Sequence, residues 1–151
     1  VCSMSENYIK IESKSSIDNI APIRICVATF LSSLNIHIDE LMDVKTALSE
    51  AVTNAVDHAY DEESDSKIIV EAKIRDDEKI IITVKDFGKG IEDIPLAMTP
   101  MYTSKPENEH AGMGFTIMES FMDEVIVDSV IKNGTTITLT KDIRKKSTNK
   151  V

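Results

Sequence analysis

A carboxylate and an amide stand four residues apart in a segment whose apolar residues recur with helical spacing. Glu50, Asn54 and Asp57 share one sector of that predicted helix, at about 100° per residue, opposite its apolar stripe. An amide oxygen suits Mg²⁺ when phosphates supply the negative charge. A carboxylate one turn earlier can take a proton from a hydroxyl or water beside that metal. Taken alone, the same pattern also fits a solvated helix face.

A second segment places Asp86 at the end of a predicted strand, followed at once by Gly88 and Gly90. A carboxylate at a strand end can accept a hydrogen bond from the amino group of adenine. The glycines let the backbone approach a flat base or a phosphate closely. An ordinary Asp-Gly turn is the alternative interpretation of this segment alone.

A third segment opens another predicted helix with Gly112 and Gly114. The free N–H groups and the dipole of a helix start can hold phosphate. A plain glycine-bearing helix start is the alternative. The three segments in this order, however, supply what the binding of ATP with Mg²⁺ requires, and they predict a nucleotide site.

Two other nucleotide motifs are excluded. Residues 86–88 spell the metal-binding triplet of ordinary protein kinases, but no glycine-rich loop precedes them and no His-Arg-Asp loop is present. No Gly-x-x-x-x-Gly-Lys-Ser/Thr phosphate loop occurs either.

Composition predicts one globular domain in 151 residues, which we place at 4–141 with a basic, disordered tail at 142–151. No apolar stretch or signal-peptide pattern indicates a membrane, so we expect a cytoplasmic protein. The net charge of −9 argues against direct nucleic-acid binding. Cys26 lies in an apolar run and is predicted to be a core thiol rather than part of a disulfide.

Periodicity predicts helices grouped with a largely antiparallel sheet, an α+β two-layer sandwich. Asp18 is the expected N-cap of the first helix. Residues 92–111 show no periodicity and are predicted to form a long functional loop. The predicted strands are 8–13, 67–74, 79–85, 125–128 and 135–140, and the predicted helices are 18–34, 39–60 and 112–121.

The three segments resemble, in order, the N-, G1- and G2-boxes of the GHKL ATPase/kinase superfamily. Over about residues 8–141 the resemblance narrows to the anti-sigma F factors of sporulating bacteria, and it is carried by 49–60, 103–107, 112–123 and 134–137. It implies the GHKL (Bergerat) ATP-binding fold, with a mixed, mostly antiparallel sheet covered by helices on one face.

The resemblance also implies a function. Such proteins are homodimeric serine kinases that, with ATP, bind and silence a sporulation sigma factor. They also bind a small anti-anti-sigma protein and phosphorylate it on serine. ATP or ADP and Mg²⁺ would be the cofactors.

Site roles follow from the same resemblance. Glu50 would be the general base, Asn54 the Mg²⁺ ligand, and Asp86 the partner of the adenine amino group. The other implied roles are a base pocket at Gly88 and Gly90, adenine support by the Thr135 hydroxyl, a mobile lid at Thr103, Ser104 and Lys105, phosphate-binding N–H groups at Gly112 and Gly114, a phosphate contact by His58, and a protein-partner contact by Arg24.

One position departs from the family pattern: His110 stands where an arginine usually precedes the G2 glycines. Arginine is always charged, whereas histidine is often neutral at pH 7. The first alternative is therefore an ATP-gated sigma-binding module with little kinase activity. The stress-response branch of the same family is another. A histidine-kinase catalytic domain is the third, but the chain lacks room for a phosphoacceptor helical hairpin.

Overall fold

The computed structural model describes residues 6–58, 66–76, 78–100 and 113–144. The strands are β1 (Glu6–Lys14), β2 (Lys67–Arg75), β3 (Lys79–Asp86), β4 (Glu124–Val130) and β5 (Gly134–Asp142). The helices are α1 (Ile20–Leu31), preceded by a 3₁₀ turn (Ile17–Asn19), α2 (Ile38–His58), α3 (Ile94–Ala97) and α4 (Gly114–Phe121).

The five strands form one open sheet in the order β1-β2-β3-β5-β4, and all four pairings are antiparallel. Side chains alternate between its faces. One face is apolar, as in β2, where Ile68, Val70, Ala72 and Ile74 are buried. The prediction of a mostly antiparallel sheet is confirmed, and the described strands contain no parallel pairing.

The helices cover this apolar face and complete the predicted two-layer sandwich. α1 contributes Val27 and Leu31 to the core, and α2 contributes Val44, Leu48 and Val52. α4 packs against α2 and adds Phe115 and Met118. No helix in the described part of the chain is both long and apolar enough to cross a membrane.

Three local predictions were wrong. Asp18 is not the N-cap of α1: Asn19 holds that position without a side-chain hydrogen bond. Ser16 caps the preceding 3₁₀ turn, where its hydroxyl accepts from the Asp18 N–H (3.3 Å). Cys26 is exposed, because it lies about 100° around α1 from Val27, which points into the core. The aperiodic segment contains α3, whose first turn is capped by the Asp93 carboxylate accepting from Leu96 N–H (3.0 Å).

Lys141 ties the end of α4 to the sheet. Its ammonium donates to the Phe121 carbonyl at the C-terminus of α4 (2.7 Å) and lies 4.0 Å from a carboxylate oxygen of Asp43 on α2. The side chain is only 14% exposed. A cation there satisfies a carbonyl that the helix itself cannot bond and complements the helix dipole.

We therefore expect Lys141→Met to lower the free energy of unfolding by about 1–3 kcal/mol, because a charge-assisted hydrogen bond in a mostly buried position is lost. Urea denaturation measures this. Lys10→Met, an exposed lysine on β1, is the matched control and should change little. Equal unfolding free energies for the two variants would contradict the role given to Lys141.

Candidate functional site

Asp86 lies where β3 ends against the start of β5. The strand alternation that buries Ile82 and Val84 also turns Asp86 inward, and only 7% of the residue is exposed. Its Oδ1 accepts two backbone hydrogen bonds, from Gly88 (3.0 Å) and Thr135 (3.1 Å). Both bonds within the described residues end on Oδ1, so Oδ2 is left to accept from a ligand.

Burial raises the pKa of the Asp86 carboxyl, and the two backbone N–H groups oppose this only in part. The folded protein therefore holds a proton here more readily than the unfolded chain. Between the ordinary pKa of an aspartate and the raised one, the free energy of unfolding falls as pH rises. Above that window the charged carboxylate is held at a cost in stability, as is typical of functional sites.

Two glycines bring the surrounding loops close together. Gly134 has φ +104°, and a Cβ there would lie 2.1 Å from the Asp86 carbonyl oxygen. Gly90 has φ +78°, and a Cβ there would lie 2.6 Å from the Val130 carbonyl oxygen. Only glycine fits such positions. The structure thus bonds Gly88 and Thr135 to Asp86 and places Gly90 against the end of β4. It adds Gly134, which the motif contained without a role.

A serine that the sequence did not single out joins these loops. Ser129 stands directly opposite Thr135 in the β4–β5 pairing. Its hydroxyl oxygen accepts from the Ile91 N–H (2.8 Å) and lies 2.8 Å from the Thr135 hydroxyl oxygen. The Gly134 carbonyl oxygen, 3.2 Å from the Ser129 hydroxyl oxygen, is a second acceptor within its reach. The alternation along β4, which places Ser129 on the inner face, was the available signal.

The second half of the site forms where α4 meets α2. A Cβ on Gly114 would lie 3.5 Å from Glu50 Oε2 and 4.0 Å from Asn54 Oδ1. The start of α4 therefore faces the carboxylate and the amide directly, without an intervening side chain. Both side chains are half-buried under α4 rather than fully solvated. A phosphate at this helix start would lie beside the Asn54 amide and the Glu50 carboxylate.

Arg24 lies on α1 and is half-buried, with Nη1 3.5 Å from Ser49 Oγ, next to Glu50 in the chain. Its partner contact stays a prediction. His58 ends α2, but its side chain is not described. The remaining predicted site residues lie outside the described residues: Thr103, Ser104, Lys105, His110 and Gly112.

Comparison with known proteins gives this arrangement its class. The model of the histidine kinase-like ATPase domain family matches residues 14–141, and the chain belongs to that family. Within it, the chain belongs to the anti-sigma F factors. It is 48% identical over 138 residues to the anti-sigma F factor of Clostridium botulinum (strain Eklund 17B / Type B), covering 91% of this chain and 96% of the relative. The anti-sigma F factor of Oceanobacillus iheyensis is 46% identical over 143 residues, covering 95% and 97%.

Solved structures confirm the fold. The RsbU and RsbW domains of Rv1364c from Mycobacterium tuberculosis superpose with a TM-score of 0.67 at 23% identity, covering 91% of this chain and 33% of that chain. The histidine kinase domain of a blue-light activated kinase from Erythrobacter litoralis gives 0.57 at 16% identity, covering 82% and 61%.

The variant Asp86→Asn separates the effect of this carboxylate on stability from its effect on nucleotide binding. The Asn carbonyl can still accept from Gly88 and Thr135, while the buried charge disappears, so we expect stability at pH 7 to be unchanged or higher. The amide nitrogen then replaces Oδ2 and faces a ligand with a donor. ATP affinity should fall by roughly 10–150-fold, and discrimination against guanine nucleotides should relax.

Calorimetry with ATP and GTP, together with urea denaturation, measures both effects. Asp128→Asn, on the exposed face of β4, is the matched control and should leave both unchanged. Wild-type ATP affinity in Asp86→Asn would reduce Asp86 to a turn residue.

Proposed function

We propose that this chain is an ATP-dependent serine kinase and anti-sigma factor of the cytoplasm. It binds a sporulation sigma factor in an ATP-dependent way and phosphorylates that factor's anti-anti-sigma antagonist on serine. One combination of features carries the proposal. The buried Asp86 carboxylate, with one oxygen not hydrogen-bonded within the described part of the chain, and the Glu50–Asn54 pair facing Gly114 occur in a fold whose relatives are anti-sigma F factors.

The two halves of the site, around Asp86 and at the start of α4, would hold opposite ends of the nucleotide. Asp86 Oδ2 accepts from the adenine amino group, and the Thr135 hydroxyl supports the ring. The phosphates lie at the start of α4, where Gly114 leaves room beside Glu50 and Asn54. The helix start favours their negative charge. Asn54 fits Mg²⁺, since its oxygen is neutral and the phosphates supply the charge; the ion would neutralise charge on the leaving group.

The transfer needs only one proton acceptor from the protein. The serine hydroxyl oxygen of the antagonist bonds to the γ-phosphorus, and the bond from that phosphorus to the β–γ bridging oxygen breaks. Glu50 takes the hydroxyl proton, and ADP leaves with the bridging oxygen. Positioning and charge neutralisation supply most of the rate in such transfers, which fits a site with a single base.

Exposed apolar side chains support the partner part of the proposal. Ile25, beside Arg24 on α1, is 60% exposed, and Ile17 before that helix is 71% exposed. Large apolar side chains left exposed can serve as protein contacts. We assign the 3₁₀ turn and the exposed face of α1 to contacts with the sigma factor, the antagonist or the second subunit of a homodimer.

His110 favours one alternative, an ATP-gated sigma-binding module with little transfer; the stress-response anti-sigma kinases of the same family differ instead in the sigma factor. Mixing the protein with MgATP and a candidate antagonist taken from the neighbouring gene, then locating phosphate by mass spectrometry, separates transfer from binding alone. Stoichiometric phosphoserine on the antagonist is the expected result. ATP-dependent binding of the sigma factor without phosphoserine on the antagonist would support the ATP-gated binding module instead.

Glu50→Gln should retain ATP binding within a few-fold but lose phosphorylation by about 10²–10⁴-fold, because the amide cannot accept the serine proton. Single-turnover transfer to the antagonist measures this. Glu40→Gln makes the same change in the first turn of α2, away from the site, and should transfer at the wild-type rate. Transfer by Glu50→Gln at the rate of Glu40→Gln would remove Glu50 from the mechanism.

His110→Arg should strengthen the preference for ATP over ADP and make it independent of pH. A γ-phosphate contact by histidine needs a protonated imidazole. An ordinary histidine loses that proton between about pH 6 and pH 8, whereas arginine stays charged. The ATP/ADP affinity ratio across this range, for wild type, His110→Arg and His110→Ala, tests the contact. One common ratio in all three proteins would exclude His110 from the γ-phosphate.

A further inference from the structure

The hydroxyl of Ser129 holds three parts of the adenine end of the site together. It accepts from the Ile91 N–H (2.8 Å) in the loop after β3, and it reaches the Thr135 hydroxyl (2.8 Å) across the β4–β5 pair. The Gly134 carbonyl oxygen, 3.2 Å away, is the other acceptor to which the Ser129 hydroxyl could donate. Thr135 is 7% exposed, and its backbone N–H is already bonded to Asp86.

These contacts constrain where the hydroxyl protons lie. The Ile91 N–H is a fixed donor and occupies one lone pair of the Ser129 oxygen. The single Ser129 proton then has two acceptors, and the Thr135 oxygen is the nearer by 2.8 Å against 3.2 Å. When Ser129 donates to Thr135, the Thr135 proton is free to point into the site. Thr135, whose backbone N–H already bonds to Asp86 Oδ1, then presents a donor next to that carboxylate.

An acceptor and a donor side by side match one purine edge. Adenine presents a donor at its amino group and an acceptor at N1, whereas guanine and hypoxanthine present an acceptor at O6 and a donor at N1. We propose that Ser129 is a positioning residue that makes Thr135 a hydrogen-bond donor to N1 and so contributes to the choice of adenine. The inference rests on the proposed nucleotide site and adds to it the residue that sets the polarity of the Thr135 contact.

Three nucleotides test this. ATP carries both adenine groups, inosine triphosphate reverses both, and purine riboside triphosphate keeps the N1 acceptor but lacks the amino group that faces Asp86. In Ser129→Ala we expect the ATP/inosine triphosphate affinity ratio to fall by about 3–10-fold, the range of one neutral hydrogen bond. Purine riboside triphosphate should weaken by the same factor as ATP, because the loss is at N1.

Three further variants separate this role from a structural one. Ser129→Thr keeps the hydroxyl and should restore the wild-type ratio. Thr136→Ala, on the opposite face of β5, controls for loosening of the strand pair and should leave the ratio unchanged. In a Thr135→Val background, Ser129→Ala should have no further effect, since Ser129 acts through Thr135. A ratio measured on one sample is insensitive to partial unfolding of that sample.

An unchanged ratio in Ser129→Ala, or an equal fall with and without Thr135, would overturn the inference. These results are distinct from failure of the proposed function. If wild type binds no ATP, the nucleotide site itself is wrong and the inference falls with it. If wild type prefers ATP in an Asp86-dependent way while Ser129→Ala keeps the wild-type ratio, only the role of Ser129 is wrong.

Discussion

The proposed adenine end of the site depends on one buried oxygen. Asp86 Oδ1 accepts from Gly88 and Thr135, so a single atom fixes the loop after β3 to the start of β5. This close crossing requires glycine at 134, where any side chain would meet the Asp86 carbonyl. Burial raises the pKa of the carboxyl, and the two N–H groups offset part of that cost. The same geometry leaves Oδ2 without a hydrogen-bond partner among the described residues.

The proposed phosphate end depends on a different contact, the one between the start of α4 and the polar side chains of α2. Because Gly114 opens α4 against Glu50 and Asn54, the helix start meets the carboxylate and the amide at close range. The core residues Phe115 and Met118 fix α4 at one end of the sheet, and Lys141 holds its C-terminus. The proposed phosphate contact and the core packing thus fall on successive residues of one short helix.

Sequence patterns predicted what depends on periodicity and on motifs. The strands, the long α2 helix and its polar sector follow from spacing, and Glu50, Asn54 and Asp86 stood out because their residue types suit nucleotide chemistry. Contacts between distant segments could not be predicted this way. Ser129 looks like any strand residue until its register opposite Thr135 is known. Lys141 begins a basic run, yet its ammonium lies against α4.

The central claim is that one nucleotide site has an adenine end at Asp86 and a phosphate end at Gly114. A titration that occupies the two ends separately tests it most directly. Backbone amide shifts of Gly88, Thr135 and Gly114 should be followed by NMR with adenosine and then with MgATP. Adenosine should move Gly88 and Thr135, whose N–H groups share the Asp86 oxygen, and leave Gly114 in place. MgATP should move all three. A Gly114 response to adenosine equal to that of Thr135, or no response of Gly88 and Thr135 to either ligand, would contradict the two-ended site.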